Sequence, residues 1–198
     1  LSLLIRMCSE NVTSYNGFPV DLPVLRPVCC PSVALFASCC LSGELFGLLG
    51  LRLRDAGVVW TRKQVKKRFL ADVLAKRKAS SRGAEYPSPI EDVFRAEFPG
   101  VWRFIREVNK QGWEHARLIR LLQQLESWLV IDQVCSRFVR RYPGEFVITI
   151  HDAAYVRPIM LGALVGVFDE VFELLEFRPT LKVDSDLPKT DWASEAFE

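Results

Sequence analysis

Histidine is nearly absent from this chain. Only His115 and His151 are present, too few for a phosphohydrolase centre built on several imidazole ligands. No G-x-S-x-G occurs, so a serine-nucleophile triad has no support. The six cysteines are Cys8, Cys29, Cys30, Cys39, Cys40 and Cys135. Two adjacent pairs make no usual metal spacing and no histidine lies near them, so zinc is not expected. Buried free thiols in a reducing compartment are expected instead, and with them a cytoplasmic location. A basic n-region with a small-residue cleavage site is missing at the start, so no signal peptide is read. The Asn11-Val12-Thr13 acceptor pattern carries little weight without one. Internal repeats are also lacking. The first residue is Leu and not Met, and the chain is expected to be a piece of a longer one.

Two further scarcities set the organisation. The run from Val33 to Leu51 is long enough to raise a membrane question. It contains Glu44, two Ser and three Gly, so a buried helix of a soluble domain is expected and no membrane partner. Acid is scarce from Thr61 to Arg82: nine Lys or Arg stand against Asp72 alone. The net charge is only +2, because the segment from Leu161 to Glu198 is acidic. Such a basic block fits an anionic partner or a solvated helix face. With 49% hydrophobic and 25% charged residues in 198, the chain is globular.

The apolar spacing then predicts the elements. The first thirty residues are proline-rich and read as extended and broken. A helix is expected from Ser32 or Ser42 to about Arg54, closed by Gly57 as a left-handed cap. Thr61 is the N-cap of the next helix, with Gln64 completing a capping box. In that helix Val65, Phe69, Val73 and Leu70 form the inner stripe, and Arg62 and Lys66 stand one turn apart. A loop follows over residues 79–89. Next come a short helix, a Pro-Gly break, and a helix whose inner face is Trp102, Ile105 and Val108 or Asn109. The longest helical pattern runs from Glu114 to Arg141, through Leu118, Leu121, Leu122, Leu125, Trp128, Leu129 and Val139. Two short strands, Phe146 to Ile150 and Ala153 to Val156, flank His151-Asp152. An amphipathic helix, a returning strand over residues 178–186 and a loose tail complete the chain.

The His-Asp pair at the tip of an apolar hairpin has two readings. Asp152 caps the turn through its own backbone, or it is a rigidly held metal ligand that needs a second carboxylate. The order of features bears on the choice: a basic helix with Arg62-x₃-Lys66, a long helix with Gln123, then strand, His151-Asp152, strand, helix and strand. This order resembles the fingers and palm of the family A polymerase superfamily, over roughly residues 44–183. There are departures. Leu74-Ala75 stands where the family has Tyr-Gly, Ala153 follows His-Asp, and Leu-Glu-Ser does not match the family's run near Gln123.

The resemblance implies an α+β fold: mainly helical fingers packed on a small antiparallel palm sheet with a β-hairpin. It divides the chain into a partial palm-like segment (1–43), fingers-like helices (44–112), a palm-like helix, hairpin, helix and strand (113–187), and a tail (188–198). It implies a template-directed DNA polymerase working by two-metal phosphoryl transfer, with Mg²⁺ as cofactor and primed template and nucleoside triphosphates as partners. Asp152 would hold metal. Asp21, the acid between Glu10 and Glu44, is the candidate second ligand by elimination. It serves, or the true residue lies outside this chain, or catalysis is lost. Arg62 and Lys66 would face the triphosphate. Gln123 and His151 would touch the primer-template, and Lys67, Arg68, Lys76, Arg77, Lys78 and Arg82 its backbone. The alternative is a catalytically inactive helical nucleic-acid-binding module derived from such an enzyme.

Overall fold

The computed structural model describes residues 14–15, 18–19, 31–76, 86–109, 115–150, 153–179 and 181–183. It is mostly helical, with small antiparallel strand pairs, and the fold is α+β. The chain forms two compact units, Leu1–Gln133 and Val134–Glu198.

In the first unit, β1 (Ser14–Tyr15) pairs antiparallel with β2 (Phe18–Pro19). The apolar run does not make one helix. It splits into α1 (Pro31–Leu41) and α2 (Leu45–Asp55), bent by 117°. Gly43 supplies the break at φ +76°, a conformation that costs L-residues a Cβ clash. No single helix among the described residues is long and apolar enough to cross a membrane; the bent pair passes that test only when taken together. Gly57, at φ +79°, follows α2 as the left-handed residue expected there.

Helix α3 (Arg62–Arg68) begins on Thr61 with the predicted capping box: Thr61 Oγ1 accepts from Gln64 N, and Gln64 Oε1 accepts from Thr61 N at 2.8 Å. It runs into a π-helical segment, Phe69–Leu74, closed by the Ala75 N–H donating to Leu70 O at 3.0 Å. Val65, Phe69 and Val73 are buried as expected. Leu70 is not; it is 43% exposed. The i→i+5 winding instead turns Asp72, Val73 and Leu74 inward in succession.

Helices α4 (Pro89–Glu97) and α5 (Pro99–Val108) meet at Phe98, which terminates one and precedes the other. Proline at each first turn lacks the N–H that would be orphaned there. Ile105, Val108 and Asn109 are buried and Trp102 is half-buried, with Val101 and Phe104 completing the inner face. The core of this unit is aromatic. Phe36, Phe69, Phe94 and Phe98 contact one another edge-on or tilted at 5.2–5.9 Å between centroids, the offset geometry that ring quadrupoles favour. Leu49, Leu53, Val65 and Ile90 are buried as well.

Helix α6 (Arg117–Ser127) continues through a second π-helical segment, Trp128–Cys135, into α7 (Ser136–Arg141). The expected long helix is therefore present, with its winding changed midway. Leu118, Leu125 and Trp128 are buried. Val139 is 42% exposed and Phe138 takes the inner position. Asn109 ties this run to the rest. Its side-chain NH₂ donates to Leu74 O at 2.7 Å and its Oδ1 accepts from Leu118 N at 3.0 Å.

In the second unit, β3 (Ile148–Ile150) pairs antiparallel with β4 (Ala153–Tyr155), in the register Ile148↔Tyr155, Thr149↔Ala154 and Ile150↔Ala153. Glu145 and Arg157 join the open end of the hairpin in a bidentate ion pair. The hairpin is not the buried element its apolar composition suggests: Phe146, Ile148, Ile150 and Tyr155 are each more than half exposed. Helix α8 (Leu161–Leu174) buries Leu164, Val167, Phe168, Val171 and Phe172, and packs on α7. No strand follows it among the described residues: 177–179 and 181–183 are irregular, and the rest of the expected 178–186 strand lies outside the described residues.

Candidate nucleic-acid interface

The basic block resolves into two chemically different sets. At about 100° per residue, the buried Val65 and Phe69 point one way and Lys63 and Lys67 the other. Arg62 and Lys66 flank them on one side, Arg68 on the other. Arg62, Lys63, Lys66, Lys67 and Arg68 are all exposed, so five of the seven residues of α3 present cations to solvent. Arg62 Nη2 donates to Gly43 O at 3.0 Å, which fastens α3 to the α1–α2 bend. Arg68 Nη1 lies 3.8 Å from Asp72 Oδ2. Lys63, Lys66 and Lys67 make no ion pair among the described residues. Arg62/Lys66 and Lys63/Lys67 are like-charged i,i+4 pairs, each destabilising by roughly 0.2–0.5 kcal/mol. A polyanion laid along this ridge would relieve both.

Lys76 behaves in the opposite way. Expected at the nucleic-acid surface, it is 5% exposed and forms an ion pair with Glu91 of α4. Lys76 lies just past the end of the π-helical segment at Leu74, where the chain leaves the helix and carries the side chain inward. There its ammonium also sits 5.0 Å from the Tyr86 ring centroid. Arg77, Lys78 and Arg82 lie outside the described residues.

The acid of the basic block, Asp72, is also inside, 4% exposed. Its Oδ1 accepts from Tyr86 OH at 2.9 Å and its Oδ2 from Ser88 Oγ at 3.1 Å. Burial, reinforced by the bond to the Asp72 carboxylate, pushes the Tyr86 phenol up to about 12. Glu91 uses both oxygens, Oε1 accepting from Trp102 Nε1 at 3.1 Å and Oε2 from Lys76. This network joins the π-helical segment to α4 and α5, behind the ridge. Nothing in the residue types announces it. Asp72 stands three residues after the buried Phe69, and that spacing was the one sequence signal of its place; Lys76 lies beyond the helix end at Leu74.

The remaining site expectations scatter. Gln123 is exposed on α6. His151, Asp152 and Asp21 lie outside the described residues. The Mg²⁺ expectation rests on those two aspartates. Among the described residues, no three His, Cys, Asp or Glu side chains are grouped to hold an ion. Of the cysteines, Cys135 is buried, which raises its thiol pKa, while Cys39 and Cys40 are half-buried, and all three are free thiols. On α7 and α8, Arg141 is held by Glu170 in two bonds of 2.6 and 2.8 Å, and Arg140 Nε donates to Ser136 O. The Arg141 hydrogen bonds hold the Glu170 carboxyl below the usual range.

No protein-family model, no curated protein and no solved structure matches this chain.

Proposed function

We propose that this chain binds nucleic acid through the phosphate backbone, with the exposed ridge of α3 as the contact surface. The observation that carries the reading is the split within the basic block. Lys63, Lys66 and Lys67 stand in solvent with no acid paired to them among the described residues, while the one acid of the basic block, Asp72, is turned inward and hydrogen-bonded to Tyr86 and Ser88. A helix surface kept for its solubility alone normally interleaves both signs; this one carries a single sign over two turns. Lysine ammonium groups on flexible stems neutralise phosphates without reading bases, so binding is sequence-tolerant and strongly salt-dependent. The test is to replace Lys63, Lys66 and Lys67 together by Gln and follow affinity for a short oligonucleotide over a salt series. Affinity should fall and the log–log salt slope should flatten. Unchanged binding would remove the reading.

A second reading, template-directed nucleotidyl transfer, has one observation in its favour: β3 and β4, the strands on either side of His151-Asp152 in the chain, pair antiparallel as that reading expects. In that reading the α3 ridge guides nucleic acid or triphosphate. Asp152 and Asp21 would hold Mg²⁺, which supplies charge neutralisation at the transferred phosphoryl group. Mg²⁺-dependent extension of a primed template, abolished in Asp152→Asn, is the expected result. Extension that survives the substitution would sink it.

A further inference from the structure

Beside the lysine ridge runs a groove whose lining is not only cationic. Trp60, Gln64, Lys67, Arg68 and Ala71 surround a cavity of about 410 Å³, within the roughly 300–1,000 Å³ typical of ligand pockets. Gln64, Lys67, Arg68 and Ala71 recur at three- and four-residue spacings, so the groove runs along the side of α3 from Trp60, in the loop before it, to the π-helical segment. Trp60 stands at one end, half-buried, next to Val59, which is 80% exposed. Lys67 and Arg68 lie along its length and are exposed. Ala71 contributes only a methyl group. Gln64 commits Oε1 to Thr61, and its side-chain NH₂ makes no hydrogen bond among the described residues.

We infer that this groove takes an unpaired base of single-stranded nucleic acid, stacked on the Trp60 indole with its flanking phosphates on Lys67 and Arg68. The inference rests on the phosphate-binding reading above and adds the strand class. Each feature has a counterpart in the ligand. An indole face suits any base, because every base has a π-face, and stacking requires a base that is not already stacked within a duplex. Cations on the adjoining turn suit the phosphodiesters on either side. The Gln64 NH₂ is a donor for a base carbonyl. A duplex would meet the lysine ridge but could not fill the groove, so single strands are preferred.

The experiment uses the full chain, a fluorescently labelled short oligothymidylate, and a strand of the same length and charge with abasic sites. The oligothymidylate should bind more tightly than the abasic strand. Trp60→Ala should close that gap by lowering oligothymidylate affinity roughly five- to 150-fold, the range for losing one base–aromatic stack. The abasic affinity and the salt slope should stay unchanged, and Trp60→Phe should keep most of the preference. Ala71→Leu, at an exposed position of the π-helical segment, puts bulk into the groove while keeping Trp60, and should lower oligothymidylate binding alone; it carries the test if Trp60→Ala fails to fold. Equal affinity of wild type for the two strands, with a normal salt slope, overturns the stacking site and leaves the ridge standing. Absence of salt-dependent binding to either strand overturns both.

Discussion

Glu91→Gln should destabilise the first unit far more than its near-isosteric change suggests. The Lys76 and Glu91 side chains are 5% and 7% exposed, so the ion pair is cut off from solvent. A Gln at 91 keeps an amide oxygen for Trp102 Nε1, and the substitution removes the charge and little else. Lys76 is then left as a buried cation without its counter-charge. Breaking a buried pair from one side costs about 3–5 kcal/mol. The face of Tyr86, 5.0 Å from the ammonium, is worth about 2 kcal/mol or more when desolvated, but it is already engaged in the native state and offsets none of the loss. Urea unfolding followed by circular dichroism and tryptophan fluorescence reads the loss. With m of about 1–3 kcal/mol per molar urea, the midpoint should fall by at least about 1 M. Lys76→Met with Glu91→Gln removes both charges and should recover most of the drop, because paired removal leaves nothing uncompensated. A Glu91→Gln midpoint within about 0.3 M of wild type would refute the argument that this pair is dry and mutually dependent.

Other consequences are measurable. Gly57→Ala should cost about 1–2 kcal/mol, since its φ of +79° strains any L-residue although the space around it is open. Gly50→Ala, inside α2 and in ordinary contact with Val65, should instead gain about 0.5–1 kcal/mol. Tyr86 keeps its proton up to about 12 when folded, against 10.0 unperturbed. Its contribution is therefore complete below pH 10 and lost as pH rises towards 12. Wild type should lose stability relative to Tyr86→Phe across that window, and parallel pH profiles would contradict it. Replacing Lys63, Lys66 and Lys67 by Gln should leave thermal stability intact or slightly raised, because it removes like-charge i,i+4 repulsion; a large drop would mean that the ridge is structural.

The helical half of the fold was legible because its signals are local. The Thr61–Gln64 capping box, Gly57 and the Pro99-Gly100 break each act through the backbone of a few neighbouring residues, and each stands where expected. Non-local effects hid the rest. Gly43 could continue or break an apolar run, and only packing of α1 and α2 decides for the break. The π-helical segment over 69–74 packs on α4 and α5, and the sequence announces neither the winding nor those partners. Lys76 looked like a surface residue by type, and its partner Glu91 is fifteen positions away. The hairpin's two strands were readable as short apolar runs on either side of His151-Asp152, but their exposure was not, because composition does not say what a strand faces. At the candidate interface, the cations of α3 were legible as a block. The groove was not, since Trp60 precedes the helix and its relation to Lys67 and Ala71 exists only once the helix is wound.

The most direct test of nucleic-acid binding by the α3 ridge is the salt dependence of affinity for a single-stranded oligonucleotide, in wild type and in the chain with Lys63, Lys66 and Lys67 replaced by Gln. At ~0.7 per phosphate contact on single strands, the log–log slope should become shallower by about 2. An unchanged slope, with equal affinities at every salt concentration, would contradict the assignment of this ridge.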